Sequence, residues 1–260
     1  RNRNNDIKAR HQKIATRRFD HDLVRYLETD TVTGLNLGQG GLYFPHGGTV
    51  CPPDLCHALL EKAEKTSLLE TRFNTNFKSL SDVQADAIIQ ADADHINALP
   101  ETDWIPLEIV RGQVTAWAGT DKSRNLKTVI CHKGYITPAA DTHILGATFD
   151  KGATDTNAPL NADHNRNMKQ LFDELPVLKT EYNVDNLKGR RANRIATPDR
   201  LPLCGPIINH AKFQSDFSML KKDAKTTFDT PPVYHDNLYV LGALGSHGFT
   251  TAPWLSLIHI

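Results

Sequence analysis

The chain has 260 residues, 39% of them hydrophobic and 23% charged, and Lys plus Arg equals Asp plus Glu, so its formal net charge is zero. Neutrality argues against a dedicated nucleic-acid binder, which is usually basic. No apolar run is long enough to span a bilayer and no signal peptide is visible, so the cytoplasm is the expected compartment. The four cysteines, Cys51, Cys56, Cys131 and Cys204, form no CxxC pair. Their spacing fits neither a zinc site nor a disulfide framework, so buried free thiols are expected and no metal. A start at Arg1 and an abrupt end in Leu255–Ile260 read as the ends of a piece of a longer chain.

The stretch to about Glu28 reads as a charged helix carrying Arg1, Arg3, Lys8, Arg10, Lys13, Arg17 and Arg18 against Asp6. Such a cluster is either a solvated face or a contact for phosphates. Six glycines between Thr33 and Gly48 then imply turns and close backbone approach. A helix is expected over Pro52–Lys65, with proline near its start and Leu55, Leu59 and Ala63 at helical spacing. Leu68–Phe73 and Ala85–Gln90 read as short strands, and Pro106–Ala118 alternates like a longer one. Thr128–Ile136 reads as a hairpin turning at His132-Lys133-Gly134, and Thr142–Phe149 as another strand. Asn161–Leu175 is a helix capped by Asn161 or Asp163, with Met168, Leu171, Phe172 and Leu175 on one face. Arg190–Pro206 is extended.

The close is the most informative segment. An apolar strand, Leu238–Leu241, runs into Gly242, Gly245 and Gly248, and a helix starts near Thr250. The free amides and dipole of that helix favour negative charge. The spacing Gly-x-x-Gly-x-x-Gly is not the Rossmann fingerprint, and an ordinary glycine turn between core elements accounts for it equally well. His247 is a candidate base or a solvated loop residue. Arg194 is a candidate carboxylate clamp or the partner of Asp199. Lys133 and Tyr135 sit at a hairpin tip, as a pocket lid or a plain surface turn. Asp54, His57 and His164 need only structural roles.

Six segments taken together resemble the FAD-dependent oxidoreductase domain of the bifunctional tRNA 5-methylaminomethyl-2-thiouridine biosynthesis proteins, in the D-amino-acid oxidase and glycine oxidase superfamily. They are Tyr43-Phe-Pro-His-Gly-Gly-Thr-Val-Cys-Pro52, Val110-Arg-Gly-Gln-Val114, Gly134-Tyr-Ile-Thr-Pro138, Leu145-Gly-Ala-Thr-Phe-Asp-Lys-Gly152 with Asp155-Thr156, Ala196-Thr-Pro-Asp-Arg-Leu-Pro202 with Gly205, and Gly242 to Pro253. The resemblance implies an α/β (α+β) chain, a partial FAD-binding Rossmann-like domain (52–105 and 190–260) interleaved with an antiparallel-sheet substrate domain (1–51 and 106–189). It implies FAD held by Gly47, Gly48, Gly242, Gly245, Ser246, His247, Gly248, Phe249 and Thr250. It also implies tRNA as substrate, with glyoxylate released from the carboxymethylaminomethyl arm of the wobble base. Arg194 is the first choice for the clamp, Arg111 the second, and Tyr135 a pocket wall. A fused SAM-dependent methyltransferase domain is the implied neighbour; neither it nor the family's first dinucleotide-binding strand lies within these residues. Three departures stand out: Thr49 where the family commonly has Trp, Ala91-Asp-Ala-Asp94 in place of a small turn near the cofactor, and Arg190-Arg-Ala-Asn193 where a glycine is usual. Two other readings stay open: an oxidase of a small amine such as glycine, and a non-catalytic RNA-binding remnant.

Overall fold

In the computed structural model, the described residues are 9, 13, 20, 22–27, 32–38, 40–139 and 141–258. The elements in chain order are β1 (Arg25–Leu27), β2 (Gly41–Tyr43), α1 (Pro52–Glu64), β3 (Ile88–Gln90), β4 (Glu108–Trp117), β5 (Ile130–Cys131), β6 (Tyr135–Ile136), β7 (His143–Gly146), β8 (Asp150–Lys151), α2 (Asn161–Glu174), β9 (Lys188–Ala196), β10 (Leu203–Ile208), α3 (His210–Asp216), β11 (Tyr234–Gly242) and α4 (Gly248–Ile258), with short 3-10 turns between them. Most of the expected charged helix, with Arg1, Arg3, Lys8, Arg10, Arg17 and Arg18, lies outside the described residues. Its last part is a strand instead: Arg25 pairs with Tyr43 and Leu27 with Gly41.

The chain forms two compact units that alternate along the sequence. The first comprises Arg1–Thr71, Gln113–Thr148 and Asn157–Arg191, the second Arg72–Gly112, Phe149–Thr156 and Ala192–Ile260. Strands β4 and β9 each begin in one unit and end in the other.

In the first unit β5, β6, β7 and the end of β4 form an antiparallel ladder, with Ile136 opposite Leu145 and Thr115 opposite Leu145 on the other side. The hairpin turns where expected, the His132 amide donating to Gly134 O at 2.8 Å. Trp117, Ile136 and Leu145 face the core, and α2 covers them with Met168, Leu171 and Phe172, the positions expected from i, i+3, i+4 spacing. The start of α2 is not set by a local cap. Leu160 occupies the cap position, and its amide and carbonyl are both taken by the side-chain amide of Gln113 on β4, at 2.8 and 2.9 Å. Asn161 instead donates to Asp185, and Asp163 accepts from Arg166. Behind this lies a buried polar set: Asn167 donates to Gln113 O and to Thr115 Oγ1, which also meets His164 Nδ1 at 2.9 Å.

Burial pushes His164 below the ordinary histidine value, with Asp163 opposing the shift more weakly. The folded state therefore favours the neutral ring. The stability this gives is complete above an unfolded pKa of about 6.5 and is lost as pH falls from there toward the lower folded value. Urea midpoints should fall between about pH 7.5 and 5.5, and His164→Gln should flatten that fall. An unchanged slope in the variant would exclude His164 as the source.

In the second unit β11 lies between β10, antiparallel, and β3, parallel. Ile96, Ile105, Ile207, Leu238 and Val240 form its core. Three expectations are corrected. Leu68–Phe73 makes no strand, since Leu68 is 91% and Phe73 75% exposed, with no ladder partner among the described residues. The second expected strand shortens to β3. The free thiols are not buried: Cys51, Cys56 and Cys131 are exposed and only Cys204 is partly covered. Cys51 stands at the N-cap position of α1 with no side-chain capping bond, α1 buries none of its residues, and Cys131 ends the two-residue β5.

Candidate functional site

The parallel pair β3 and β11 is the feature that makes a site. Leu238 pairs with Ile88 and Val240 with Gln90, so both strands end on the same edge of the sheet. In open α/β sheets this is where ligands bind, because the loops leaving the strand ends enclose a crevice. Two turns leave here, Ala91–Asp94 after β3 and Ala243–His247 after β11. The end of β11 packs against the 3-10 turn Ala93–Ala98 that follows the first of them, since a Cβ on Gly242 would lie 2.3 Å from Ile96 Cδ1. Beyond them the amides of Thr250 and Thr251 return to His247 O at 3.0 and 2.8 Å. The amides of Gly248 and Phe249 have no acceptor among the described residues. Gly245, at φ +58°, and Gly248 have no atom nearer than 3.8 Å to an added Cβ, so their outer surface is open. Ser246, His247, Phe249 and Thr250 are exposed.

Strand β9 meets this turn. The Gly245 amide donates to Ile195 O at 2.8 Å, and Ala196 bridges to Leu244. Arg194 is therefore one residue from a direct bond to the glycine-rich turn. Its guanidinium lies across Gly112 of β4, so close that a Cβ there would be 2.0 Å from Nη1. It also lies 6.0 Å from the centre of the Phe149 ring, a residue 56% exposed. The alternative partner, Asp199, takes the Thr197 hydroxyl at 2.7 Å and the Leu201 amide at 3.0 Å, and the Leu201 bond above all holds its carboxyl below the usual range. Arg111 is paired with Asp150 at 3.0 Å.

The remaining expected residues belong to the first unit. Tyr135 is half-buried in β6, opposite Gly146. Gly47 donates to Phe44 O at 2.9 Å, and Gly48 is exposed. Lys133 is paired with Glu174. Burial outweighs Glu174 at the neighbouring His132 and lowers its pKa. A separate groove of about 560 Å³ in the second unit runs past Trp104, Thr197, Leu203, Cys204 and Val240. Among the described residues its only charged lining group is Asp199, an acid itself. Gly112, Phe149 and Gln90 join the site without being singled out from sequence. The first two stand inside segments that carry the family resemblance, which was the available signal.

The family model described as FAD dependent oxidoreductase (DAO) matches residues 3–258. This chain belongs to the DAO family of FAD-dependent oxidoreductases. It is 36% identical over 264 residues to the tRNA 5-methylaminomethyl-2-thiouridine biosynthesis bifunctional protein MnmC of Pseudomonas entomophila (strain L48), covering 94% of this chain and 40% of that protein. Against the protein of the same name from Legionella pneumophila (strain Corby), identity is 33% over 246 residues, covering 90% and 36%. The chain thus spans about 40% of the length of the first of these relatives. Among solved DAO-like folds, glycine oxidase from Bacillus cereus ATCC 14579 superposes with a TM-score of 0.68 at 16% identity, covering 98% of this chain and 69% of that one. Iminodiacetate oxidase from Chelativorans sp. BNC1 gives 0.66 at 16% identity, covering 97% and 66%. The α/β fold is that of the DAO flavoenzymes.

The DAO cofactor, FAD, fits the strand-end site in part. Unbonded first-turn amides and an open glycine surface suit a flat ring with negative charge at one edge. Gln90 adds a buried Oε1 with no partner among the described residues, while its Nε2 donates to Ile96 O at 3.0 Å. Asp92 and Asp94 in the neighbouring turn are unfavourable to phosphates. Both have local donors, Asp92 from Gln90 and Asp94 from Asn193.

Proposed function

We propose that this chain is the oxidase portion of an enzyme that acts on 5-carboxymethylaminomethyl-2-thiouridine at the wobble position of tRNA, releasing glyoxylate and leaving the aminomethyl base. The observation that carries the reading is the Gly245–Ile195 hydrogen bond, which ties the strand bearing Arg194 to the glycine-rich turn. A carboxylate clamp and a flavin-contacting turn must be neighbours if an amino-acid-like arm is to be oxidised. When bound, FAD supplies the acceptor for the hydride beside the amine nitrogen.

The chain's residues hold the two partners. Arg194 clamps the arm's carboxylate through its planar fork. Ser246, Gly248 and Phe249 offer backbone donors, and Gly245, whose amide is held by Ile195 O, an open surface, to the flavin edge, with Gly242, His247 and Thr250 forming the same turn. Gly47 and Gly48 of the first unit are read as further cofactor contacts, and Tyr135 as a pocket wall. The rest of the relatives' length, under a name that says bifunctional, is read as the methyltransferase partner.

The test is incubation of the purified chain with FAD, desalting, and assay on tRNA carrying the modified base. Retained absorption near about 370 and 450 nm together with glyoxylate release is the expected result. A flavin-loaded protein that releases no glyoxylate from this tRNA would sink the reading. Peroxide from free glycine or sarcosine, but none with tRNA, would move the assignment to a small-amine oxidase. A colourless protein that binds tRNA in a salt-sensitive way would point to an RNA-binding remnant.

A further inference from the structure

We infer that Phe149 is the stacking surface for the nucleobase, and so the residue that separates a base-linked amine from a free amino acid. This rests on the function proposed above. A 56% exposed aromatic ring is not part of the core, yet this one is firmly placed. On one side, the Thr148 amide donates to Gln113 O at 3.1 Å and the Thr148 hydroxyl accepts from the Gln113 amide at 2.9 Å. On the other, Asp150 is in ladder register with Arg111 and ion-paired to it at 3.0 Å. The ring between them looks toward Arg194, whose guanidinium carbon is 6.0 Å from the ring centre.

That distance suits the substrate. Four bonds separate the arm's carboxylate carbon from the pyrimidine ring, a reach of about 5 Å when extended. A carboxylate held by Arg194 therefore brings the base within range of the neighbouring ring. Aromatic side chains are the usual platform for an unstacked base, and they tolerate any flat ring because every base has a π-face. Free glycine or sarcosine has no such ring and gains nothing from Phe149. Because the side chain is exposed, removing it leaves no cavity, and the effect on folding is small.

The experiment compares Phe149→Ala and Phe149→Tyr with the unaltered flavin-loaded protein. The two substrates are an anticodon stem-loop bearing the carboxymethylaminomethyl base and sarcosine, and stem-loop binding is also measured by fluorescence anisotropy. Phe149→Ala should lower kcat/KM and affinity for the stem-loop by roughly 5- to 150-fold, the range for loss of one base–aromatic stack. Any loss on sarcosine, which shares only the carboxylate held by Arg194, should be several-fold smaller, and Phe149→Tyr should restore the stem-loop. Equal losses on both substrates, or no loss on the stem-loop, overturn the inference while the proposed function stands. If the unaltered protein oxidises sarcosine and leaves the stem-loop untouched, the proposed function fails first and the inference fails with it.

Discussion

Replacing Arg194 by Ala should lower kcat/KM for glyoxylate release by about two to three orders of magnitude, the scale seen when one member of a hydrogen-bonded charge pair is truncated. The arm's carboxylate is unchanged by the oxidation, so binding is lost equally from ground and transition states. The effect should fall mainly on KM. Arg194→Lys should recover only part, because a point charge cannot reproduce the two parallel bonds of the guanidinium fork. An amine without a carboxylate should be oxidised as before. A variant with unchanged KM would remove Arg194 from the clamp and return Arg111 as the candidate, despite its pairing with Asp150. Gly112→Ala makes a milder companion. Its Cβ would stand 2.0 Å from Arg194 Nη1, but that atom ends a flexible side chain. The guanidinium should move, raising KM while the melting curve stays where it was.

Gly189→Ala should do the opposite, damaging the fold before any chemistry. A Cβ there would lie 2.3 Å from the Val114 carbonyl oxygen and 2.7 Å from His164 Cε1. Backbone is the obstacle, so no rotamer change relieves it; β9 must separate from β4, and His164 must shift as well. The loss should reach or exceed the upper end of the roughly 1–3 kcal/mol typical of overpacking. Gly41→Ala is the control, because its added Cβ meets nothing within 4 Å. Urea unfolding of the two variants beside the parent decides it. Equal midpoints for all three would mean that β9 lies looser on β4 than its contacts indicate.

What could be read from sequence was what depends on near neighbours. Pro52 and Pro53 mark the start of α1, and the spacing of Met168, Leu171 and Phe172 gives the buried face of α2. The hairpin at His132–Gly134 follows from its turn residues. The failures are tertiary. Leu68, Leu69 and Phe73 have strand-like composition, but a strand exists only where another backbone pairs with it. Helix α3 is short and polar, with no apolar period to announce it. The cap of α2 comes from Gln113, 47 residues before Leu160. The site shows the same division. The glycine turn and Arg194 stand out individually, whereas the seat of Arg194 over Gly112 and beside Phe149 joins three separate strands or loops. Only the family resemblance linked those segments in advance.

The alternation of the two units along the chain bears on how the molecule is made. The chain changes unit at 71/72, 112/113, 148/149, 156/157 and 191/192. During synthesis the first unit lacks α2 and the start of β9 until residue 191 has emerged, and the second lacks β10 and β11 for longer still. Early strands such as β3 therefore wait unpaired for partners about 150 residues downstream, a span set by Leu238 and Ile88. Such intermediates expose apolar strand edges and are prone to aggregate. Nor can a single cut liberate either half as a self-sufficient module. Expression trials that trim the chain to isolate one unit should yield insoluble product, and slow synthesis at low temperature should favour the intact protein.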